Sequence, residues 1–456
     1  MSCKKIKGCE GKIAMKRRDF LLGSIASVAA PAAFAAEDSA EQKPTPPPPQ
    51  PTPPPPKPAE KLSTVERFAC PEDGLFAVRP HLQLLGERSA AVVWMTKRKA
   101  TGFVEWSQDG GAKWKRDWTE EDGLRDAGSF VHKTVLTGFD PSKSVRFRAC
   151  SRANPEVRAY SATFEGEVEK VESELNPIVP ADGKVSFAMF NDVHNKLDSY
   201  PALLKYLDRP VNFTVFNGDI MNSVETEEGL KKNLLAPLAY TSEKTHAAMW
   251  YLRGNHETRG AMARQLRDYL ALPEGHYFGA VTLGAARIVF IDTGEDKHDS
   301  HPEYSGLVDF DHYIERQKAW LAREFASAAW KDAAFRIAVM HIPPADVSVL
   351  GRRGPIGGTK RTCALTEFLK GAGLSIALCG HYHWSANDDA NETHPYPVVV
   401  GGGVGVSPKD KRGRFRDATI TRCDYDAKEL VVTQTNILGE KLFERRIAAG
   451  TGAGSS

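Results

Sequence analysis

Five short apolar runs in the second half of the chain each break off into residues able to bind a metal, and this repeated punctuation constrains the fold most. Val185–Phe190 ends at Asn191-Asp192-Val193-His194, Phe213–Phe216 at Asn217-Gly218-Asp219, and Ala248–Leu252 leads to Gly254-Asn255-His256-Glu257. Arg336–Met340 ends at His341, and Leu374–Leu378 passes through Cys379 to Gly380-His381-Tyr382-His383. Between the runs, Pro201–Leu207 and Tyr313–Ala328 have helical spacing, the second through Ile314, Trp320-Leu321 and Phe325. Strands alternating with helices predict a layered α/β domain, whose ligands gather at the carboxyl ends of the strands.

Each cluster alone is bland, since an Asp closing a strand is ordinarily a turn former. The set is not bland: five of the chain's 13 histidines fall on it, beside two acids and an asparagine. Carboxylate, amide and imidazole together suit Fe, Mn, Zn or Co better than Ca, whose sites are built of oxygen. The spacing in Asp192-x-His194 and His381-x-His383 is expected to put both side chains on one side of an extended backbone.

In order, Asp192-x-His194, Gly218-Asp219, Gly254-Asn255-His256-Glu257, His341 and Gly380-His381-x-His383 resemble, motif for motif, the calcineurin-like metallophosphoesterases over residues 183–447. The resemblance implies a four-layer α/β domain, a β-sandwich flanked by helices, with two metal ions (Fe, Mn or Zn). It implies one metal on Asp192, His194, Asp219 and His383, and a second on Asp219, Asn255, His341 and His381, with Asp219 the bridge. The catalytic residues are then Asp219 and His256, the latter a proton donor to the leaving group or a stabiliser of phosphate charge. Glu257 is expected either to orient that imidazole or to be an exposed loop acid. The implied reaction is hydrolysis of small phosphate mono- or diesters by a metal-bound hydroxide; the alternative is a non-catalytic surface or binding protein on the same scaffold. Intact ligands at every motif argue against the alternative.

Residues 61–166 read as short strands between turns, among them Ala90–Thr96, Gly102–Ser107, His132–Leu136 and Val145–Cys150. They predict an all-β sandwich that resembles the fibronectin type III-like domain preceding the catalytic domain of purple acid phosphatases, with Trp94 and Trp106 in its core. The catalytic motifs depart from those enzymes, which carry a Tyr three residues after the bridging Asp. Here that position is Asn222, and the first motif holds a His that they lack.

The ends of the chain speak to location. Residues 1–35 join a basic start to the apolar stretch Phe20–Phe34 and resemble a twin-arginine export signal at Lys16-Arg17-Arg18-Asp19-Phe20-Leu21-Leu22, with a cut expected after Ala35 and Met15 as an alternative start. This predicts a periplasmic or secreted protein, tethered to the membrane if uncleaved, that meets the twin-arginine export machinery. Residues 36–60 form a linker: 11 of the chain's 29 prolines lie in 44–58, favouring an extended spacer. Residues 448–456 read as a flexible tail. The net charge of +2 conceals a +5 leader and a body near −3, so no nucleic-acid partner is expected.

Five cysteines remain after the leader, with a Cys70–Cys150 bridge open and Cys379 read as a buried strand thiol. Arg253, Arg259, Tyr382 and Trp384 flank the motifs as phosphate or leaving-group contacts, with packing an equal reading. Ser223 and Thr258 read as turn or cap residues. The basic glycine-rich stretch Gly351–Arg361 is a candidate anion clamp, and His298–His312 a second loop over the site. Gly401-Gly402-Gly403 reads as a turn permitting close backbone approach. A Walker-type phosphate loop is absent.

Overall fold

The computed structural model describes residues 69–344, 360–405 and 417–450, with side chains of residues 360–364 excepted. The stretch resembling an export signal, the proline-rich linker, the glycine-rich stretch 351–359 and the last six residues lie outside the described residues.

The apolar runs become strands because their side chains alternate between two cores. In the strand Val185–Phe190, Val185, Phe187 and Met189 enter one core while Ala188 and Phe190 enter another. Phe213–Asn217 pairs with it in parallel, and Ala248–Leu252 pairs in parallel with Phe213–Asn217. A second parallel set runs through Ala286–Ile291, Phe335–Met340, Ile376–Cys379 and Val398–Val400. In it, Ile288 and Phe290 face the first sheet while Val289 and Ile291 face away. Trp250 and Phe290 stack across the two sheets, with centroids 3.9 Å apart and planes 8° from parallel. Such a pair adds about 0.5–1.5 kcal/mol beyond the area it buries.

Helices cover both outer faces. Ser199–Leu204 and Ala236–Thr245 bury Tyr200, Leu203 and Leu238 against the first sheet. Phe310–Ala326 buries Ile314 and Leu321, and Lys360–Lys370 buries Leu365 and Leu369, against the second. This is the four-layer β-sandwich flanked by helices that the sequence predicts. No helix of the described residues is long and apolar enough to cross a membrane.

The front strands are antiparallel, as expected, and Trp94 and Trp106 are buried. Ser89–Ser107 is a 19-residue strand that pairs with Phe76–Gly86 and Ser129–Thr137 through its first half and with Val145–Arg158 through its second. Two features join these strands to the catalytic layers. Gln83 pairs with Met249 in the parallel sheet, and Leu82, Val92 and Phe147 share one core with Phe187 and Phe213. The β region reaches Leu175, because the strand Ser161–Leu175 runs across residue 166.

Candidate metal centre

Each metal-capable cluster sits just beyond the carboxyl end of a parallel strand, so five loops converge on one edge of the sandwich. The route differs from the extended backbone expected for the two x-spaced pairs. Asp192, His194, Asp219, His381 and His383 all have positive φ, of 52°, 47°, 51°, 72° and 57°. The left-handed region crowds Cβ against the following carbonyl, and a non-glycine residue there costs about 1–2 kcal/mol. Hydrogen bonds between loops hold the strain in place. Asp192 N donates to Gly218 O and His194 N to Asp219 O, each at 3.0 Å, and His381 N donates to Asp192 Oδ2 at 2.8 Å. Each turn thus points its own side chain into the common centre.

Glycines permit this convergence. A Cβ on Gly254 would lie 2.2 Å from Asp219 Oδ1, and one on Gly401 1.9 Å from Asn191 Oδ1. A Cβ on Gly403 would lie 2.5 Å from His383 Cβ, so the triple glycine allows the close approach expected of it.

Ligand atoms of Asp192, His194, Asp219 and His383 lie within 4.8 Å of one another, as do those of Asp219, His341 and His381. Asp219 is common to both groups. His194 Nε2 lies 3.0 Å from His383 Nε2, and His383 Nε2 lies 3.3 Å from Asp192 Oδ1. Asp219 Oδ2 lies 3.2 Å from His341 Nε2 and 3.6 Å from His194 Nε2. Asn255 Oδ1 joins the second group, 3.1 Å from His381 Nδ1. Asp192 Oδ1 and His341 Nε2 are buried without a hydrogen-bond partner, an arrangement costing about 1–3 kcal/mol per group. Orphaned donors and acceptors aimed at one point fit a bound cation, and the nitrogen–oxygen set fits a transition metal.

Charge strengthens the fit. Burial alone would raise both buried carboxyls, but His341 leads the groups that hold Asp192 and Asp219 below the usual carboxylate range. Burial opposes a proton on His341, yet Asp219 and Asp192 win and push it up to about 10. Burial, with His341 next, pushes His381 down to about 4. Without metal, His341 therefore keeps a proton that an incoming ion must displace. Metal affinity is expected to rise with pH up to about 10, with proton release on binding. Calorimetric titration in buffers of different ionisation enthalpy measures this; pH-independent affinity without proton release would exclude it.

Glu257 is neither of the things expected of it. It is fully buried; Oε2 accepts from Asp219 N at 2.9 Å and Gly254 N at 2.8 Å, and Oε1 from Met221 N at 2.9 Å. It pins the bridging loop to the loop bearing Asn255 and His256 instead of touching the imidazole. Burial, then Asp219, raises its carboxyl to about 7. Asn217 was equally hidden in the sequence: its carbonyl lies 2.8 Å from His341 Nδ1, fixing the proton there and freeing Nε2. A buried role for either residue leaves no trace in spacing.

Arg253 is held inside, its Nε donating to Asp292 Oδ2 at 2.7 Å and its guanidinium 4.4 Å from the Tyr277 ring centroid. Gln317 grips Asp292 through both backbone groups. Arg259 forks onto Glu295 at 2.9 and 2.7 Å and reaches Asp296 at 3.2 Å. Tyr382 is buried, and Trp384 packs on the second outer core. Thr258 donates to Asn255 O at 2.8 Å, in keeping with a turn role. The His298–His312 segment contributes no further metal-capable cluster among the described residues. Cys70 and Cys150 are free thiols, so the bridge left open does not form, and Cys379 is the buried strand thiol expected.

Residues 185–385 match the calcineurin-like phosphoesterase family. This is a calcineurin-like phosphoesterase domain. The protein is accordingly a metal-dependent phosphoesterase, its motifs at the strand ends of that domain. The chain is similar in fold to a purple acid phosphatase from yellow lupin (Lupinus luteus) seeds, with 13% identity, 82% of this chain and 75% of that chain covered, and a TM-score of 0.57. It is similar to the same degree to the solved structure of PhoD, again at 13% identity and TM-score 0.57, covering 82% of this chain and 92% of that one. At such identity the likeness is one of fold. A search of curated protein sequences finds no significant match.

Proposed function

We propose that this phosphoesterase uses two metal ions (Fe, Mn or Zn) to hydrolyse small phosphate mono- or diesters outside the cytoplasm. The observation carrying this reading is the convergence of Asp192, His194, Asp219 and His383 with Asp219, His341 and His381, sharing Asp219. Ions held there would neutralise phosphate charge and acidify a water nucleophile.

The protein's own residues do the rest. Fractional exposure separates the ligands: the His341 side chain is at 0%, His194 at 9% and His383 at 20%, while His256 reaches 31%. Substrate therefore approaches across His256 and His383. His256 Nδ1 donates to Asn222 O at 2.7 Å, which directs Nε2 toward the cleft, 4.0 Å from Asp219 Oδ2. In the protonated ring, Nε2–H is placed to give a proton to a departing alkoxide. With Arg253 and Arg259 committed to carboxylates, phosphate charge falls to the metals and the histidines.

His256→Ala should keep its metal while turnover falls on the order of 10²-fold or more, the usual worth of a positioned acid. Loss of metal in that variant would remove His256 from the catalytic role. Hydrolysis of p-nitrophenyl phosphate and its bis-ester with Fe, Mn or Zn supplied tests the function and ranks mono- against diester. No turnover of either, together with no bound metal, would overturn it. Asn222 at the purple-enzyme Tyr position leads to a colourless or pale protein, so a strong visible charge-transfer band in the metal-loaded form would count against this site. The twin-arginine-like leader supports export before residence in the periplasm or beyond, and N-terminal sequencing of mature protein checks for a start at Ala36.

A further inference from the structure

Asn222 lies exposed at the lip of the cleft, three residues beyond the shared Asp219, and touches two histidines with two different groups. Its side-chain Oδ1 lies 3.1 Å from His194 Nδ1, and its main-chain carbonyl lies 2.7 Å from His256 Nδ1. A carbonyl oxygen only accepts, so each contact requires the proton on Nδ1. That choice of tautomer leaves Nε2 of the neutral ring with its lone pair free. The two rings meet edge to face, with centroids 4.7 Å apart, so their orientations are set together. His194 Nε2 then points at His383 Nε2 and Asp219 Oδ2, at 3.0 and 3.6 Å. Asn222 N is itself held by Asn195 Oδ1 at 3.3 Å, which anchors the residue between the two loops it serves.

We infer that Asn222 is a positioning residue that sets the tautomers of His194 and His256 at once. Its side chain serves the metal group of Asp192, His194, Asp219 and His383, and its backbone serves the proton donor. The inference rests on the two-metal reading for the first role only. It distinguishes the two groups, since Asn222 makes no such contact with His341 or His381. It also separates two jobs within one residue, because substitution removes the amide oxygen and leaves the carbonyl.

The test uses the full chain in three forms: wild type, Asn222→Leu, which has no side-chain acceptor, and Asn222→Asp, which restores one. Each is titrated with Mn(II) or Zn(II) against a competing chelator, and ¹⁵N-histidine NMR of the metal-free protein reads the tautomers. In Asn222→Leu, one metal equivalent should weaken by about 10–100-fold, the usual cost of losing a partner to a ligating imidazole, while the other stays put. The His194 signals should shift toward mixed tautomers while His256 keeps Nδ1–H, and Asn222→Asp should restore both the affinity and the His194 signals. The exposed position keeps the fold intact, which matched thermal melting of the three forms verifies. Unchanged metal affinities and an unchanged His194 tautomer in Asn222→Leu would overturn the inference, as would a parallel loss at His256. Failure of the wild type to bind any metal would instead defeat the two-metal reading, and the NMR comparison would still decide the positioning role.

Discussion

Asp219→Asn should strip the protein of both metals and of phosphoesterase activity together. The two oxygens of Asp219 have separate tasks. Oδ1 accepts the His256 backbone N–H at 3.0 Å, and Oδ2 faces His341 Nε2 at 3.2 Å and His194 Nε2 at 3.6 Å. An asparagine that keeps its oxygen on His256 N must turn its NH₂ toward the metals, where a donor repels what a carboxylate attracts. The change also deletes the one negative charge shared by both groups, which holds the His341 proton in the metal-free state. Metal affinity should fall by more than the roughly 10–100-fold that loss of an outer partner costs. Activity should fall by at least about 10³-fold, beyond loss of a single charge-stabilising donor. Elemental analysis beside turnover measures both. A variant that retained two metals would remove Asp219 from its bridging role.

Gly254→Ala should produce nearly the same functional loss by a steric route. The added methyl would lie 2.2 Å from Asp219 Oδ1, 2.5 Å from Asp219 N and 2.9 Å from His341 Cδ2, distances no real Cβ tolerates. None of these neighbours is the far end of a flexible chain. Asp219 N is bound to the buried Glu257, and Asp219 itself has positive φ. The bridging carboxylate must therefore move away from the position both groups require. Overpacking of this kind costs about 1–3 kcal/mol of stability, so the variant should melt earlier yet still fold. It should bind neither metal tightly and retain on the order of 10⁻³ of wild-type activity or less, as when Asp219 itself is changed. Thermal denaturation with metal analysis separates the outcomes. Unaltered metal content in a folded Gly254→Ala protein would mean that the loops have slack the packing does not show.

Much of this was legible in the linear order of residues. Strand and helix followed from periodicity, because Val185, Phe187 and Met189 alternate with Ala188 and Phe190 whatever surrounds them. The ligating groups were legible because each must follow its strand directly to reach the common edge. The backbone route was not, since alternation in Asp192-x-His194 suggests extended chain and the five ligands instead take left-handed turns held by other loops. Glu257 has the same character: a buried carboxylate answering two N–H groups 36 and 38 positions away, besides that of Gly254, has no local signature.

By itself, then, the sequence determined the chemistry available and the layer to which each segment belongs, since residue type and apolar period are properties of neighbours along the chain. Only the tertiary structure decided which way each side chain faces and what holds it there. It withdrew Arg253 and Arg259 into ion pairs, seated Glu257 beneath Asp219, and merged the front strands with the catalytic core. Those outcomes depend on hydrogen bonds and contacts between residues 36 or more positions apart, such as Arg259 with Glu295 and Asp219 with Glu257, and no local pattern encodes them.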